Sequence, residues 1–147
     1  LWRDAYAYTL NPEVYDEFAQ FTLNLTPIER TLKRAGFSVE LFGSITGRSG
    51  VVHEFTIVGR GEDKQVLVLD VETSSSGEVD IEEIVKFVAK IVDTTPNISV
   101  FIAMPSVSNF ARRFAKEQKI LLIEASSIEE ASQKLWVNLI ASYGRGG

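Results

Sequence analysis

The chain has 147 residues, which is enough for one domain with a sizeable hydrophobic core. It contains no cysteine, so disulfides and thiolate metal sites are excluded, and its single histidine, His53, excludes a histidine-rich zinc site. The net charge of −5 argues against a general affinity for nucleic acid, but it leaves open a local basic face.

No apolar run approaches the roughly 20 residues that cross a bilayer, and no signal peptide is visible. We therefore expect a cytoplasmic protein with no membrane partner. The chain begins at Leu1 rather than at Met, which leaves open a longer protein with a fused or partner domain upstream.

Two helices are predicted at the start of the chain. Asn11 and Pro12 are typical of a helix N-terminus, and the helix that follows them would form an extension over residues 1–25. Thr26 and Glu29 have the spacing of a capping box and predict the start of a second helix.

Three strands are predicted next, over residues 37–42, 51–58 and 65–71. The Gly/Ser-rich stretch 43–50 reads as a loop, and the turn 59–64 predicts a hairpin between the second and third strands. The third strand is almost continuously apolar, which indicates a central strand that is covered on both faces.

Alternation along the second strand places His53, Phe55 and Ile57 on one face and Glu54 and Thr56 on the other. The position of His53 among apolar residues favours a packed, hydrogen-bonded histidine over a general base.

The second half of the chain alternates helices and strands. Helices are predicted from Asp80, over 108–118 and from Ser126, with strands over 98–104 and 120–125 between them. The order α-α-β-β-β-α-β-α-β-α predicts a single α/β domain over the whole chain, with a mixed β-sheet of about five strands flanked by helices.

Four stretches carry a resemblance to a known family. They are AGFSVE (35–40), GRSGVVHEFTIV (47–58), VLVLDVE (66–72) and SVFIAMPSVSNFARRFAKEQKILLIEA (99–125). In this order they resemble the restriction-endonuclease-like, or PD-(D/E)xK, superfamily, and most of all its Mrr-type catalytic domain. The resemblance implies an αβββαβ core over 26–125, with an extra N-terminal helix and a C-terminal helix over 126–147.

The resemblance also implies a site, which here departs from the family pattern. The family's hydrophobic strand ends in acid-x-Lys and its preceding strand carries an aspartate. The acid falls at Asp70, but the position of the lysine holds Glu72 and that of the strand aspartate holds Thr56. Asp70 and Glu72 share one strand face, about 6.6 Å apart at about 3.3 Å per residue. The pattern is therefore that of a degenerate nuclease site.

If the site is active, the resemblance implies Mg²⁺ held by Asp70, Glu72 and Glu54, with Thr56 contributing its hydroxyl or a bound water. If it is inactive, no cofactor is expected.

Five basic residues are candidates for contacts with nucleic acid. Arg48 and Arg60 flank the second strand, whereas Arg112, Arg113 and Lys116 lie on a later helix. The pattern of the second group favours a solvated helix face, so Arg48 and Arg60 are the better-placed candidates.

Three functions stay open at this point. The first is a nucleic-acid-associated domain whose nuclease activity is weak or lost. The second is an active Mg²⁺-dependent DNA endonuclease that uses Glu54, Asp70 and Glu72. The third is a protein–protein assembly module, for example a homodimer, on a nuclease-like fold.

Overall fold

A mixed sheet with helices on both faces organises residues 25–142, the part of the chain that the computed structural model describes. The helices are α1 (Thr26–Arg34), α2 (Ile81–Thr94), α3 (Asn109–Glu117) and α4 (Ile128–Ser142). The strands are β1 (Ser38–Leu41), β2 (Ser44–Thr46), β3 (Val52–Glu54), β4 (Ile57–Arg60), β5 (Val66–Thr73), β6 (Ile98–Met104) and β7 (Leu121–Glu124). A 3₁₀ turn (Glu62–Lys64) joins β4 to β5. The predicted helix after Asn11 lies outside the described residues.

The main sheet has the strand order β1-β4-β5-β6-β7. β1, β4 and β5 pair antiparallel, and β5, β6 and β7 pair parallel through crossovers that contain α2 and α3. This confirms the predicted α/β class and the mixed sheet of about five strands. The predicted hairpin through residues 59–64 is also confirmed, as the link between β4 and β5.

The central strand β5 is buried on both faces. Leu67 and Leu69 pack into a cluster with residues of α1 and α4, while Val68 packs into a second cluster with residues of α2 and α3. Because side chains alternate along a strand, Asp70 and Glu72 lie on the face of Val68, under α2 and α3.

Side-chain caps start three of the four helices. Asp80 accepts a hydrogen bond from the N–H of Glu82, and Ser108 and Ser127 cap α3 and α4 in the same way. The predicted capping box at Thr26 is wrong. Thr26 is already the first helical residue, and Leu25 occupies the cap position with no side-chain hydrogen bond.

The predicted strand 51–58 is two strands. β3 pairs with β2 in a separate hairpin, and β4 begins after a break at Phe55 and Thr56. The expectation that 43–50 is only a loop is therefore also wrong, since it contains β2. The break turns Phe55 into the cluster under α2, whereas Ile57 packs on the opposite face of the sheet. Simple alternation had placed both residues on one face.

No helix within residues 25–142 is both long enough and apolar enough to cross a bilayer.

Candidate active site

The register of β4 against β5 brings Thr56 next to Asp70. Ile57, the first residue of β4, lies opposite Leu69. Thr56, just before β4, therefore meets Asp70, the next residue of β5, at the end of the ladder. The N–H of Thr56 donates to Asp70 Oδ1 at 2.8 Å, and the Thr56 hydroxyl accepts from the N–H of Val71 at 3.3 Å. Thr56, which carries a neutral hydroxyl, therefore lies beside Asp70.

Lys90 of α2 supplies the positive charge that the strand lacks. Its Nζ lies 2.6 Å from Asp70 Oδ2 and donates to the main-chain carbonyl of Glu54 at 2.6 Å. The same ammonium lies 4.5 Å from the centre of the Phe55 ring. Lys90 thus joins α2, β5 and the end of the β2–β3 hairpin at one point.

The packing of α2 on the sheet brings Lys90 to this site, and the residue pattern of the sequence did not reveal it. Phe87, three residues earlier, is buried, so Lys90 lies close to the sheet-facing side of α2. A lysine in that position needs a carboxylate partner, because an unpaired charge at a buried interface is costly. Asp70 is the carboxylate that β5 presents to that side.

Glu72 lies two residues beyond Asp70 on the same face of β5. Burial raises the pKa of Glu72 above its ordinary value of 4.5, and the negative charges of Glu83 and Asp70 raise it further. Lys86 and Lys90 lower it, but they do not cancel the increase. The carboxylates of Asp70, Glu72 and Glu83 therefore act on one another near the end of β5, together with the ammonium groups of Lys86 and Lys90 from α2.

The carboxylate of Asp70 is already occupied by protein groups. One oxygen accepts from Thr56 and the other pairs with Lys90, and the side chain is only 12% exposed. Within residues 25–142, no group of three histidine, aspartate or glutamate side chains is arranged to hold a metal ion. As arranged, these residues do not fit a divalent ion while Lys90 is in place.

Glu54, the third predicted metal ligand, is an exposed residue at the end of β3, and its carbonyl rather than its carboxylate faces Lys90. The assignment of Asp70, Glu72 and Glu54 as metal ligands stays a prediction, and the contacts present favour the opposite outcome.

His53 is half-buried and hydrogen-bonded as predicted, but it lies on the β2–β3 hairpin and not on a face shared with Phe55 and Ile57. Its Nε2 lies 2.8 Å from Asp93 Oδ2, and the Ser49 hydroxyl donates to the same oxygen at 2.6 Å. These bonds, those from Ser49 foremost, lower the pKa of Asp93 to about 2. The serine contacts the aspartate and not the histidine, so this is not the geometry of a nucleophilic triad.

Two of the predicted nucleic-acid contacts make bonds within the protein. Arg112 binds Glu124 through two nitrogen–oxygen contacts of 2.7 and 2.8 Å, which tie α3 to β7. Arg48 donates to the carbonyl of Val92 at 3.0 Å, near the C-terminus of α2.

The other three basic residues are exposed. Arg113 and Lys116 lie on α3, and Arg60 lies at the far end of β4, about 10 Å along the strand from Ile57. The role of all five basic residues in binding nucleic acid stays a prediction.

Comparison with known proteins supports the fold through solved structures of low sequence identity. No family model matches the sequence, and no curated protein matches it. Solved structures do match. Can2 from Sulfobacillus thermosulfidooxidans, in complex with cyclic tetra-adenylate, superposes with a TM-score of 0.60 and 15% identity over 80% of this chain. Protein VC1899 from Vibrio cholerae gives 0.59 and 12% over 80% of this chain.

The MspJI restriction endonuclease, in complex with a 27-mer oligonucleotide, matches over 97% of this chain with a TM-score of 0.51 and 18% identity. The chain has the restriction-endonuclease-like fold. It spans about a third of the length of each of these proteins: 35% of Can2, 33% of VC1899 and 33% of MspJI. At such identities the likeness establishes the fold alone.

Proposed function

We propose that this domain is a nucleic-acid-associated module on a restriction-endonuclease-like fold, with hydrolytic activity that is weak or lost. Two proteins with the same fold support the ligand class, because Can2 is seen with cyclic tetra-adenylate and MspJI with an oligonucleotide. DNA is the partner that we expect here.

The pairing of Thr56 with Asp70 is the observation that supports a loss of hydrolytic activity. Metal-assisted phosphodiester hydrolysis needs a bound divalent ion that activates water and neutralises developing charge. Thr56 brings no charge to the place where the family has its second acid, and its N–H binds Asp70 instead. Lys90 then takes the remaining oxygen of Asp70. The acid that would have held the ion is engaged on both sides.

A nicking assay tests this proposal. Supercoiled plasmid and branched DNA are incubated with the wild type and with Asp70→Asn, in Mg²⁺ and in Mn²⁺. The proposal predicts no metal-dependent product above the level of the Asp70→Asn protein. Nicking by the wild type that the Asp70→Asn substitution abolishes would refute it.

One observation favours the active nuclease as a second candidate. Lys90 places an ammonium group against Asp70, with Glu72 beside it, so a helix provides the lysine that is missing from the strand. An active enzyme would then use two carboxylates and a lysine from a different element. The same nicking assay separates the two candidates, because only this one predicts cleavage that depends on both Asp70 and Lys90.

A further inference from the structure

Lys90 is coordinated as a cation, and this geometry has a consequence for metal binding. An ammonium group has three N–H donors and no acceptor. Lys90 Nζ has three partners: Asp70 Oδ2 at 2.6 Å, the Glu54 carbonyl at 2.6 Å and the Phe55 ring, whose centre lies at 4.5 Å. Two of its N–H donors therefore have oxygen acceptors, and the face of the Phe55 ring adds a cation–π contact.

The two oxygens around Lys90 are of the kinds that divalent cations use. Mg²⁺ and Ca²⁺ take carboxylate and main-chain carbonyl oxygens as ligands. Asp70 and the Glu54 carbonyl belong to β5 and to the end of β3, so a cation between them would join the same elements that Lys90 joins now. A divalent ion could reach these oxygens only by displacing the ammonium group.

Burial favours the ammonium group over an ion that must come from solution. Asp70 as a whole residue is 9% exposed, and leaving a buried carboxylate without a partner is energetically costly. Lys90 is attached to a helix that packs on the same cluster through Phe87, so its ammonium group is present at high effective concentration whenever α2 is folded.

We propose that Lys90 is a built-in cation that occupies the place of a divalent ion, so that the Asp70 site is complete without metal. This inference rests on the proposed function and explains it in physical terms. It assigns Lys90 a structural role at the site, in place of activation of a phosphate or of water.

Calorimetric titration of the whole 147-residue chain with MnCl₂ tests the inference. The wild type is expected to show no saturable binding up to millimolar Mn²⁺. Lys90→Met removes the charge and keeps an apolar stem against Phe55, and it is expected to gain one Mn²⁺ site and a melting temperature that rises with Mn²⁺. Adding Asp70→Asn to that variant should remove both effects.

Lys86→Met is the matched control. Lys86 lies on the same helix, but its side chain is 69% exposed and it pairs with Glu83, at 3.5 Å, and not with Asp70. This variant should bind no Mn²⁺. Saturable, Asp70-dependent binding by the wild type would overturn the inference, as would a folded Lys90→Met protein that binds none.

A second measurement covers the case in which Lys90→Met fails to fold, since it leaves Asp70 buried and unpaired. In ¹⁵N-lysine-labelled wild type, the Lys90 ammonium resonance should be unchanged by millimolar MgCl₂, whereas its displacement by Mg²⁺ would overturn the inference. The two proposals fail separately. Mn²⁺ binding by the wild type without plasmid nicking contradicts only this inference, and nicking contradicts the proposed function.

Discussion

The surroundings of Glu72 disfavour its negative charge. It lies in a half-buried position with Glu83 and Asp70 as neighbours, and its pKa is raised for those reasons. When folding raises the pKa of an acid, the folded protein is more stable with that acid protonated than with it charged. Its favourable contribution to folding is present below the unfolded value of 4.5 and is lost as the pH rises through the folded value.

Glu72→Gln should therefore raise the melting temperature near neutral pH, because glutamine keeps the shape of the acid without its charge. The gain should shrink as the pH falls through the raised pKa of the folded state and vanish below 4.5, where Glu72 is neutral in both the folded and the unfolded wild type. Thermal unfolding of both proteins across this pH range is the measurement. Glu62→Gln, at an exposed residue of the turn before β5, is the control and should show no such trend. A lower melting temperature for Glu72→Gln at neutral pH would contradict this explanation.

Residue patterns predict the meeting of Asp70 and Thr56 at the site but not the contact from Lys90. The acid at the end of a buried strand, and the hairpin that brings Thr56 beside it, can both be predicted from the sequence, and the register confirms that the two residues meet. The contact from Lys90 cannot be predicted in this way. It depends on how α2 is rotated against the sheet, and packing over Phe55 and Phe101 sets that rotation.

At the scale of elements, local signals predict the helices better than they predict the second strand. Caps at Asp80, Ser108 and Ser127 act within one turn, so sequence spacing is sufficient to find them. The break at Phe55 and Thr56 depends on distant contacts. The carbonyl of Thr56 accepts from Phe42 and the N–H of Phe55 donates to Gly43, and these bonds divert the chain into the β2–β3 hairpin.

The β2–β3 hairpin is fastened to the C-terminal end of α2 through Asp93. Ser49 and His53 bind its carboxylate, and the N–H of Arg48 donates to its carbonyl at 3.0 Å. With a pKa of about 2 against 3.8, this carboxylate contributes its stability above 3.8 and loses it as the pH falls through about 2. Gly47 packs directly against it, since a methyl group at Gly47 would lie 1.9 Å from Asp93 Oδ2.

Gly47→Ala is accordingly expected to displace Asp93 and break its bonds to Ser49 and His53. The loss of these bonds should lower the unfolding free energy, which urea denaturation measures. Thr46→Ala, at the exposed neighbouring position on β2, should change it much less. Equal stability of Gly47→Ala and the wild type would show that the hairpin is not held in this way.

The Arg112–Glu124 pair connects α3 to β7 in a comparable way. The contact uses both carboxylate oxygens, the N–H of Val107 also donates to Glu124, and the bond to Arg112 is the first cause of the lowered pKa of Glu124. Arg112→Ala should therefore lower the melting temperature, whereas Arg113→Ala, at an exposed neighbour on α3, should leave it unchanged. If Arg112 instead serves mainly to bind DNA, the two variants will melt alike and only Arg112→Ala will lose affinity.

At the scale of the whole molecule, the net charge of −5 limits how strongly the domain can hold a polyanion. Binding must come from local groups, and Arg60, Arg113 and Lys116 are exposed candidates among those predicted. The homodimer stays a prediction, and sedimentation at several protein concentrations would decide it. The mixed sheet was predictable from the pattern of elements. The arrangement of surface charge needed coordinates, because it depends on which helix faces are exposed to solvent.

The central claim is that the domain associates with nucleic acid and does so without metal. Fluorescence anisotropy of a labelled oligonucleotide at low salt, in parallel titrations with EDTA and with Mg²⁺, tests it most directly. The account predicts the same saturable binding in both solutions, weakening as salt is added. An absence of binding at low salt in both solutions would contradict it and would favour the assembly module.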